Sequence, residues 1–229
     1  MGAGWVHPTN QNGTPVYGKL VACVAKDCLA DSRKHYQQTN RYLEIRGVTE
    51  RLQTFEKFIP RPGTKPAFDA FRNLAEGKTD KPLILCCGTT GCGKTHLCQA
   101  LTTMLNKRGV ETYYYVVSAL LDILHSAVEQ NDVEQWIKFL TAVPGLVLDD
   151  FGADKHSDWS IGKLQDIIDA RWTKKLVTVM TTNKDLIGTA GDPGLQMISP
   201  RIYSRMCDQE LSVVILNKAS DYRTERRSK

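Results

Sequence analysis

Most of the chain alternates short apolar runs with stretches in which apolar residues recur every three or four positions. The runs predict buried strands at KPLILCC, ETYYYVV, GLVLDDFG, LVTVMTTN and LSVVILN. The periodic stretches predict helices at PAFDAFRNLAEG, THLCQALTTMLNKRG, IGKLQDIIDARW and SPRIYSRMCD. Strands that are apolar throughout and separated by helices are typical of a parallel sheet covered on both faces. The pattern therefore predicts an α/β fold.

Residues at the predicted helix ends support these boundaries. Gly77 and Gly109 follow the first two helices, in the position where glycine commonly ends a helix. Ser199 is expected to cap the N-terminus of the last helix, with Pro200 at its first position.

The part of the chain before the alternating region is less regular. Residues 1–22 contain Gly, Pro, Asn and Thr with little periodicity, and IPRPGTKP has the composition of a linker. We expect an N-terminal segment at 1–46 and a main domain at 47–229.

Composition adds limits to this picture. The chain has 229 residues of which 41% are apolar, enough for a buried core, and no run approaches the ~18 apolar residues of a membrane span. We therefore expect a cytoplasmic protein with no membrane partner. The net charge of +5 permits binding to nucleic acid without requiring it. Seven cysteines, an odd number with most in apolar elements, favour reduced thiols.

The strongest chemical motif is GTTGCGKT at residues 88–95, between a predicted strand and a predicted helix. This is the phosphate-loop pattern, in which glycines let backbone N–H groups and a helix N-terminus surround phosphates. Lys94 is expected at the β and γ phosphates of ATP, and the Thr95 hydroxyl on Mg²⁺. The residues predicted to contact nucleotide here are Gly88, Thr89, Thr90, Gly91, Cys92, Gly93, Lys94, Thr95 and His96.

Two further motifs follow in the order expected of an ATPase. Asp149 and Asp150 end an apolar strand, and we assign Asp149 to the magnesium side and Asp150 to polarising the attacking water. Asn183 ends the strand VMTTN, where an amide can orient that water. Late in the chain, Arg201, Arg205 and Arg223 are candidates to stabilise charge that develops during phosphoryl transfer.

The order of these pieces resembles the DnaC/DnaI-type replicative helicase loaders of the AAA+ class, which are related to the IstB transposition helper ATPases. The segments that carry the resemblance are LVLDDFGADKHSDWSIGKLQDIIDARW, TTN, SPRIYSRM and SDYR. The resemblance covers residues 47–227. It implies an AAA+ P-loop ATPase with a five-stranded parallel sheet flanked by helices. It also implies a helical insertion after the second strand that faces single-stranded DNA, for which residues 118–140 have room.

The resemblance also implies roles for single residues. Asn183 matches the first sensor, Arg205 the arginine finger with Arg201 as a second candidate, and Arg223 the sensor arginine that contacts nucleotide in its own subunit. Asp150 resembles the aspartate that the loaders have at this position, whereas glutamate is usual there in the IstB branch.

Cys23 and Cys28 are candidate zinc ligands. Two ligands cannot close a tetrahedral zinc site, so the pair could equally be ordinary cysteines at a helix start. Loaders of the DnaI and phage kind often carry a small zinc module, and GAGWV at 2–6 with these cysteines resembles its later part. The N-terminal segment is thus similar to a partial zinc module. Its earlier ligands would lie before Met1, so the chain either begins inside the module or has lost the site. Zn²⁺ is expected only if ligands exist upstream.

The leading hypothesis is an ATPase that uses ATP and Mg²⁺ to load a DnaB-type replicative helicase onto single-stranded DNA. The resemblance implies slow hydrolysis stimulated by that DNA, and head-to-tail self-association of the ATPase domains. The alternatives are an IstB-like ATPase that assists a transposase and a nucleotide-binding scaffold with little turnover.

Overall fold

The computed structural model describes residues 53–152, 157–189 and 191–225, together with two short strands, β1 (Trp5–Val6) and β2 (Val21–Ala22). The two short strands pair in antiparallel fashion. Cys23, Cys28 and the boundary expected at residue 47 lie outside the described residues. The zinc module and the division into 1–46 and 47–229 therefore stay predictions.

The main domain is built on a parallel sheet with the order β4-β5-β6-β3-β7. Its strands are β3 (Leu83–Gly88), β4 (Thr112–Val116), β5 (Gly145–Phe151), β6 (Val177–Thr182) and β7 (Ser212–Asn217). The predicted α/β fold with a five-stranded parallel sheet is confirmed.

Helices cover both faces of this sheet. In chain order they are a 3₁₀ turn (Phe55–Lys57), α1 (Lys65–Glu76), α2 (Lys94–Lys107), α3 (Val117–Glu129), α4 (Val133–Leu140), α5 (Asp158–Thr173), α6 (Leu195–Ile198), α7 (Pro200–Met206) and α8 (Tyr222–Glu225). Among the described residues, none of these helices has the length and apolar character needed to cross a bilayer. Helices α3 and α4 fill the region predicted to hold an insertion after the second strand of the main sheet.

The helix ends follow the predicted signals. Gly77 is left-handed, with φ 68°, and its N–H bonds back into the last turn of α1. Ser199 caps α7, since its Oγ accepts a hydrogen bond of 3.3 Å from the N–H of Ile202. Gly109 follows Arg108, the C-cap of α2, and is left-handed with φ 79°, as expected of a glycine that ends a helix.

Alternate side chains of the strands enter two separate cores. On β5, Val147 packs with Phe71 and Leu101 on one face, whereas Leu148 packs with Leu120 on the other, and all of these side chains are buried. Each such side chain contributes roughly 1.5–3 kcal/mol through burial. The two cores hold the sheet rigid, and its carboxyl edge carries the candidate site.

A buried arginine joins the insertion to the sheet. Arg171 of α5 is fully buried, and its guanidinium donates hydrogen bonds to the carbonyls of Leu140 (2.7 Å), Val143 (2.8 Å) and Val177 (2.7 Å). Its Nε donates to Thr178 Oγ1 at 2.9 Å. Burial lowers the pKa of Arg171 to about 9, so at neutral pH the group stays charged and ties the end of α4 to the starts of β5 and β6.

Candidate nucleotide-binding site

The phosphate-loop motif connects β3 to α2, as predicted. Gly91 and Gly93 have φ of 73° and 97°, a region that side chains with a Cβ rarely adopt. A Cβ on Gly91 would lie 1.8 Å from an Asp221 carboxylate oxygen, and one on Gly93 would lie 2.9 Å from the Phe58 ring. The loop therefore needs glycine at both positions, and its curl leads directly into the N-terminus of α2.

Lys94 is held inside this curl. Its ammonium donates hydrogen bonds to the carbonyls of Gly88 (2.8 Å) and Thr89 (2.9 Å) and to Asn183 Oδ1 (2.7 Å). The side chain is only 7% exposed, yet it lines the cleft above the loop. A buried cation of this kind is suited to phosphate oxygens.

Asn183 connects Lys94 to the second aspartate of β5. Its Nδ2 donates to Asp150 Oδ1 at 2.6 Å, so one amide contacts both groups. The sheet register explains the approach, because Thr182 is opposite Cys87 and the next residue reaches the start of the phosphate loop. Lys94, Asn183 and Asp150 thus meet at one edge of the sheet, while their catalytic roles stay predictions.

Asp150 has an unusual backbone conformation. Its φ is 63°, in the left-handed region that is uncommon for residues other than glycine, and the pairing of β5 with β6 slips between Leu148 and Phe151. In a regular strand Asp149 and Asp150 would point to opposite faces. Here both line the same cleft.

Asp149 is buried, with 2% exposure, among hydroxyl and thiol groups on neighbouring elements. It accepts hydrogen bonds from Tyr114 Oη at 2.7 Å and from the Thr181 hydroxyl, and Cys98 Sγ lies 3.8 Å away. Burial, followed by the adjacent Asp149, raises the pKa of Tyr114 well above its usual value, so the phenol stays a donor. Pattern reasoning missed Tyr114 and Thr181, which have no motif of their own.

The residues predicted for magnesium fit a magnesium site. Thr95 and Asp149 line one cleft, and their hydroxyl and carboxylate oxygens are hard ligands of the kind Mg²⁺ prefers. In the part of the chain that the structure describes, no group of three or more His, Cys, Asp or Glu side chains could hold a metal ion. Magnesium would thus be held by Thr95 and Asp149 together with phosphate oxygens and water, as is common for this ion.

The cleft has a volume of about 520 Å³, within the range of small-molecule sites. Its lining residues are Gln53, Lys57, Phe58, Ile59, Arg61, Thr90, Gly91, Gly93, Lys94, Thr95, His96, Asp149, Asp150, Asn183 and Tyr222. Cys92, predicted with the loop, is fully buried, and its carbonyl accepts a hydrogen bond from Asn217. Its thiol lies inside the protein, where Sγ is 3.7 Å from Lys94 Nζ.

The far side of the cleft was not predicted from sequence. Arg61 donates hydrogen bonds to the carbonyls of Ser220 (3.0 Å) and Gly91 (3.3 Å), and its guanidinium carbon lies 5.1 Å from the centre of the Tyr222 ring. Tyr222 N–H also bonds to Gly91 O at 3.1 Å. These contacts dock α8 against the phosphate loop, and α8 includes Arg223, whose side chain lies outside the described structure.

Comparison with known proteins identifies the family. A profile of the family described as "IstB-like ATP binding protein" matches residues 64–229. The chain belongs to this family. The IstB-like chain is 30% identical over 96 residues to an insertion sequence IS232 putative ATP-binding protein of Bacillus thuringiensis, covering 42% of the chain and 38% of that relative. It is also 29% identical over 111 residues to the chromosomal replication initiator protein DnaA of Synechocystis, covering 47% and 25%. The chain therefore spans only a quarter to two-fifths of the length of these relatives.

Solved structures show the same fold as the IstB-like chain. The DnaC helicase loader has a TM-score of 0.58 at 23% identity, covering 78% of this chain and 99% of that one. AMPPCP-bound DnaA from Aquifex aeolicus has a TM-score of 0.63 at 19% identity, covering 76% and 54%. The predicted AAA+ P-loop ATPase and its relation to the IstB proteins are confirmed, and the chain shares its fold with the loader structures.

The two late arginines of the IstB-like chain lie on α7. Arg205 Nε donates to Asp169 Oδ1 at 2.9 Å, and Arg201 forms an ion pair with the other oxygen of the same carboxylate. Neither arginine is among the residues that line the cleft described above. The prediction that Arg205 or Arg201 acts on the nucleotide of a neighbouring subunit stays a prediction.

The described cysteines of the IstB-like chain are free thiols: Cys86, Cys87, Cys92, Cys98 and Cys207. Burial raises the pKa of the Cys87 thiol to about 12 and those of Cys86 and Cys98 further above the usual value. A neutral buried thiol is a poor nucleophile. Cys86 and Cys87 therefore act as small apolar groups, whereas the Cys98 thiol also contacts Asp149.

Proposed function

We propose that the protein is an ATP-dependent loader that binds a DnaB-type replicative helicase and helps to place it on single-stranded DNA when replication begins. The IstB-like family and the fold shared with the DnaC helicase loader support an AAA+ ATPase of the replication-initiation type. The DnaB-type helicase as partner, the single-stranded DNA as the site of loading and the cytoplasmic location are parts of this proposal.

The observation that carries the proposed ATP hydrolysis is the chain of contacts from Lys94 through Asn183 to Asp150. Lys94 is positioned for the terminal phosphates, and Asn183 fixes it relative to the carboxylate that polarises the attacking water. Asp150 then accepts a proton from that water. Mg²⁺ held near Thr95 and Asp149 would neutralise charge on the phosphates. Hydrogen bonds donated by the Tyr114 and Thr181 hydroxyls hold the Asp149 carboxylate in place at the cleft.

Arg205 would complete the site in trans. Because its contacts within the protomer go to Asp169 rather than to the phosphate loop, it is available to the nucleotide of an adjacent copy. An arginine delivered in this way can stabilise charge on the transferred phosphoryl group. ATP hydrolysis then requires contact between adjacent subunits, because one subunit supplies the arginine and the next holds the nucleotide.

The extent of the structural match favours a loader. The chain covers 99% of the DnaC helicase loader structure and 89% of the DnaI structure, but only 54% of the Aquifex DnaA structure. Its fold therefore corresponds to nearly the whole of each loader structure. The N-terminal segment is proposed to carry the helicase contact.

The second candidate is an ATPase that assists a transposase. It is favoured by the family match and by the IS232 relative, which is named for an insertion sequence. Against it, Asp150 has the aspartate that the loader resemblance implies. The two candidates share the ATP site and differ in the partner protein.

A capture experiment separates them. The tagged chain is incubated with the DnaB-type helicase of the genome that encodes it, in ATP and in ADP, and in parallel with any transposase encoded beside it. We expect nucleotide-dependent retention of the helicase, abolished in Lys94→Ala. Retention of the transposase alone would establish the second candidate, and no retention of either in any nucleotide would leave a scaffold role.

A further inference from the structure

We propose that Asp169 is a positioning residue that holds Arg205 and Arg201 in the orientation needed to act on a neighbouring subunit's nucleotide. This inference rests on the proposed function, because it requires that an arginine of α7 acts in trans. Asp169 lies on α5 and belongs to none of the motifs that identify the ATP site.

The orientation of Arg205 is fixed from two directions. Its Nε donates to Asp169 Oδ1 at 2.9 Å, and its guanidinium carbon lies 4.2 Å from the centre of the Trp172 ring. The cation–π attraction to the ring and the Nε bond together restrict the movement of the Arg205 guanidinium. Within the described residues, no hydrogen-bond acceptor contacts its two terminal Nη groups. Those are the groups that bind phosphate in paired fashion.

The Trp172 ring is itself held in place. Its Nε1 donates to Asp208 Oδ2 at 3.0 Å, across from α5 to the turn after α7. Asp169 and Trp172 are three residues apart on α5 and therefore share one helix face. One turn of α5 thus supplies both the carboxylate and the ring.

The same carboxylate keeps the two arginines together. Arg201 and Arg205 are four residues apart on α7, where like charges repel, and Asp169 pairs with both. The side chain of Asp169 is 17% exposed, whereas those of Arg205 and Arg201 are 34% and 55% exposed. The carboxylate is thus more buried than the two arginine side chains that pair with it. Fixing them beforehand reduces the conformational entropy lost when they reach a phosphate.

A purely structural role for Asp169 would be to join α5 and α7. Such a role would affect any subunit that carries the mutation, whichever active site it contributes. A positioning role would affect only the subunit that donates the arginine. Mixed assemblies of two mutant chains can separate these effects.

The experiment combines a donor chain, Lys94→Ala, with a recipient chain, Arg205→Ala. The donor lacks the lysine for its own phosphate loop but keeps its arginines, and the recipient keeps its ATP site. The mixture should hydrolyse ATP although each chain alone does not. Asp169→Asn is then added either to the donor or to the recipient, and Asp166→Asn, an exposed position on the same helix, is added to the donor as control. Assembly is followed by sedimentation and ATP affinity by fluorescent nucleotide titration.

We expect Asp169→Asn in the donor to reduce the restored turnover about tenfold or more, and the same change in the recipient to have little effect. Asp166→Asn in the donor should also have little effect. If the mixture of Lys94→Ala and Arg205→Ala restores no hydrolysis, the proposal that Arg205 acts on a neighbouring subunit is wrong, and so is the role given to Asp169. If hydrolysis is restored and Asp169→Asn donors are fully active, the trans arginine stands and the Asp169 inference is wrong. Equal losses in donor and recipient would make Asp169 structural and would also overturn the inference.

Discussion

Asn183→Ala tests the contacts on which the proposed hydrolysis depends. The substitution removes the acceptor 2.7 Å from Lys94 Nζ and the donor 2.6 Å from Asp150 Oδ1, and it leaves the phosphate loop unchanged. Lys94 keeps its bonds to the carbonyls of Gly88 and Thr89. The change therefore separates orientation of the attacking water from binding of the phosphates.

The expected magnitude follows from the two lost bonds. Hydrogen bonds to charged groups contribute roughly 1.5–3 kcal/mol each, and removing one preorganised polar group from an active site costs about 10²–10³ in kcat. We expect kcat for ATP hydrolysis to fall about 100- to 1,000-fold. The Kd for ATP should change by less than about tenfold, or ~1.4 kcal/mol, because the loop amides and Lys94 remain.

The assay is phosphate release at saturating ATP and Mg²⁺ with single-stranded DNA present, together with Kd from a fluorescent nucleotide. Asn106→Ala is a matched control, because Asn106 makes two bonds of similar length, 2.9 and 2.8 Å, to the backbone of Thr112 and does not line the cleft. It should lower stability and keep kcat. A kcat for Asn183→Ala within about threefold of wild type would refute the role given to this amide.

Three other perturbations address the loop, the core and the thiols. Gly91→Ala should weaken ATP binding at least about tenfold in a nucleotide titration, because its φ of 73° disfavours a Cβ within the loop and that Cβ would displace the Asp221 carboxylate. Gly109→Ala has a similar φ of 79° but lies at the far end of α2 with no atom within 4 Å, so it should leave binding unchanged. Arg171→Met should lower the free energy of unfolding by about 3–5 kcal/mol in urea melts, because three buried backbone carbonyls lose their hydrogen-bond donor. A loss below about 1 kcal/mol would contradict the stabilising role of these hydrogen bonds. The pKa of Cys87 is raised to about 12 in the folded protein, so the thiol loses its proton at lower pH in the unfolded chain than in the folded one. The free energy of unfolding should therefore fall as the pH rises from about 9 towards 12. Urea melts should show a smaller fall for Cys87→Ala, and an identical fall would count against the buried neutral thiol.

Elements governed by local pattern were predictable from the sequence. The strands and helices of the main domain follow apolar runs and helical spacing, and the phosphate loop is a contiguous motif between a strand and a helix. Asn183 was predictable as a polar residue at a strand end, because parallel strands bring such ends to one edge of the sheet.

Features set by register and distant contacts were not predictable. Tyr114 reaches Asp149 because β4 lies beside β5, and nothing in ETYYYV shows which tyrosine faces the carboxylate. The left-handed backbone of Asp150 depends on a slip between β5 and β6. Arg171 continues the spacing of the buried residues Leu164, Ile167 and Ile168, but an arginine at that position does not show that carbonyls from separate segments surround it. In each case the deciding partner is remote in the sequence.

The most direct test of the proposed function is loading of the DnaB-type helicase onto circular single-stranded DNA. Helicase and DNA are incubated with the full chain and ATP, and the helicase retained on the circles is counted after free protein is removed. We predict that the wild-type chain increases the amount loaded and that Lys94→Ala does not. Equal loading with wild type, with Lys94→Ala and with no added chain would contradict the proposal.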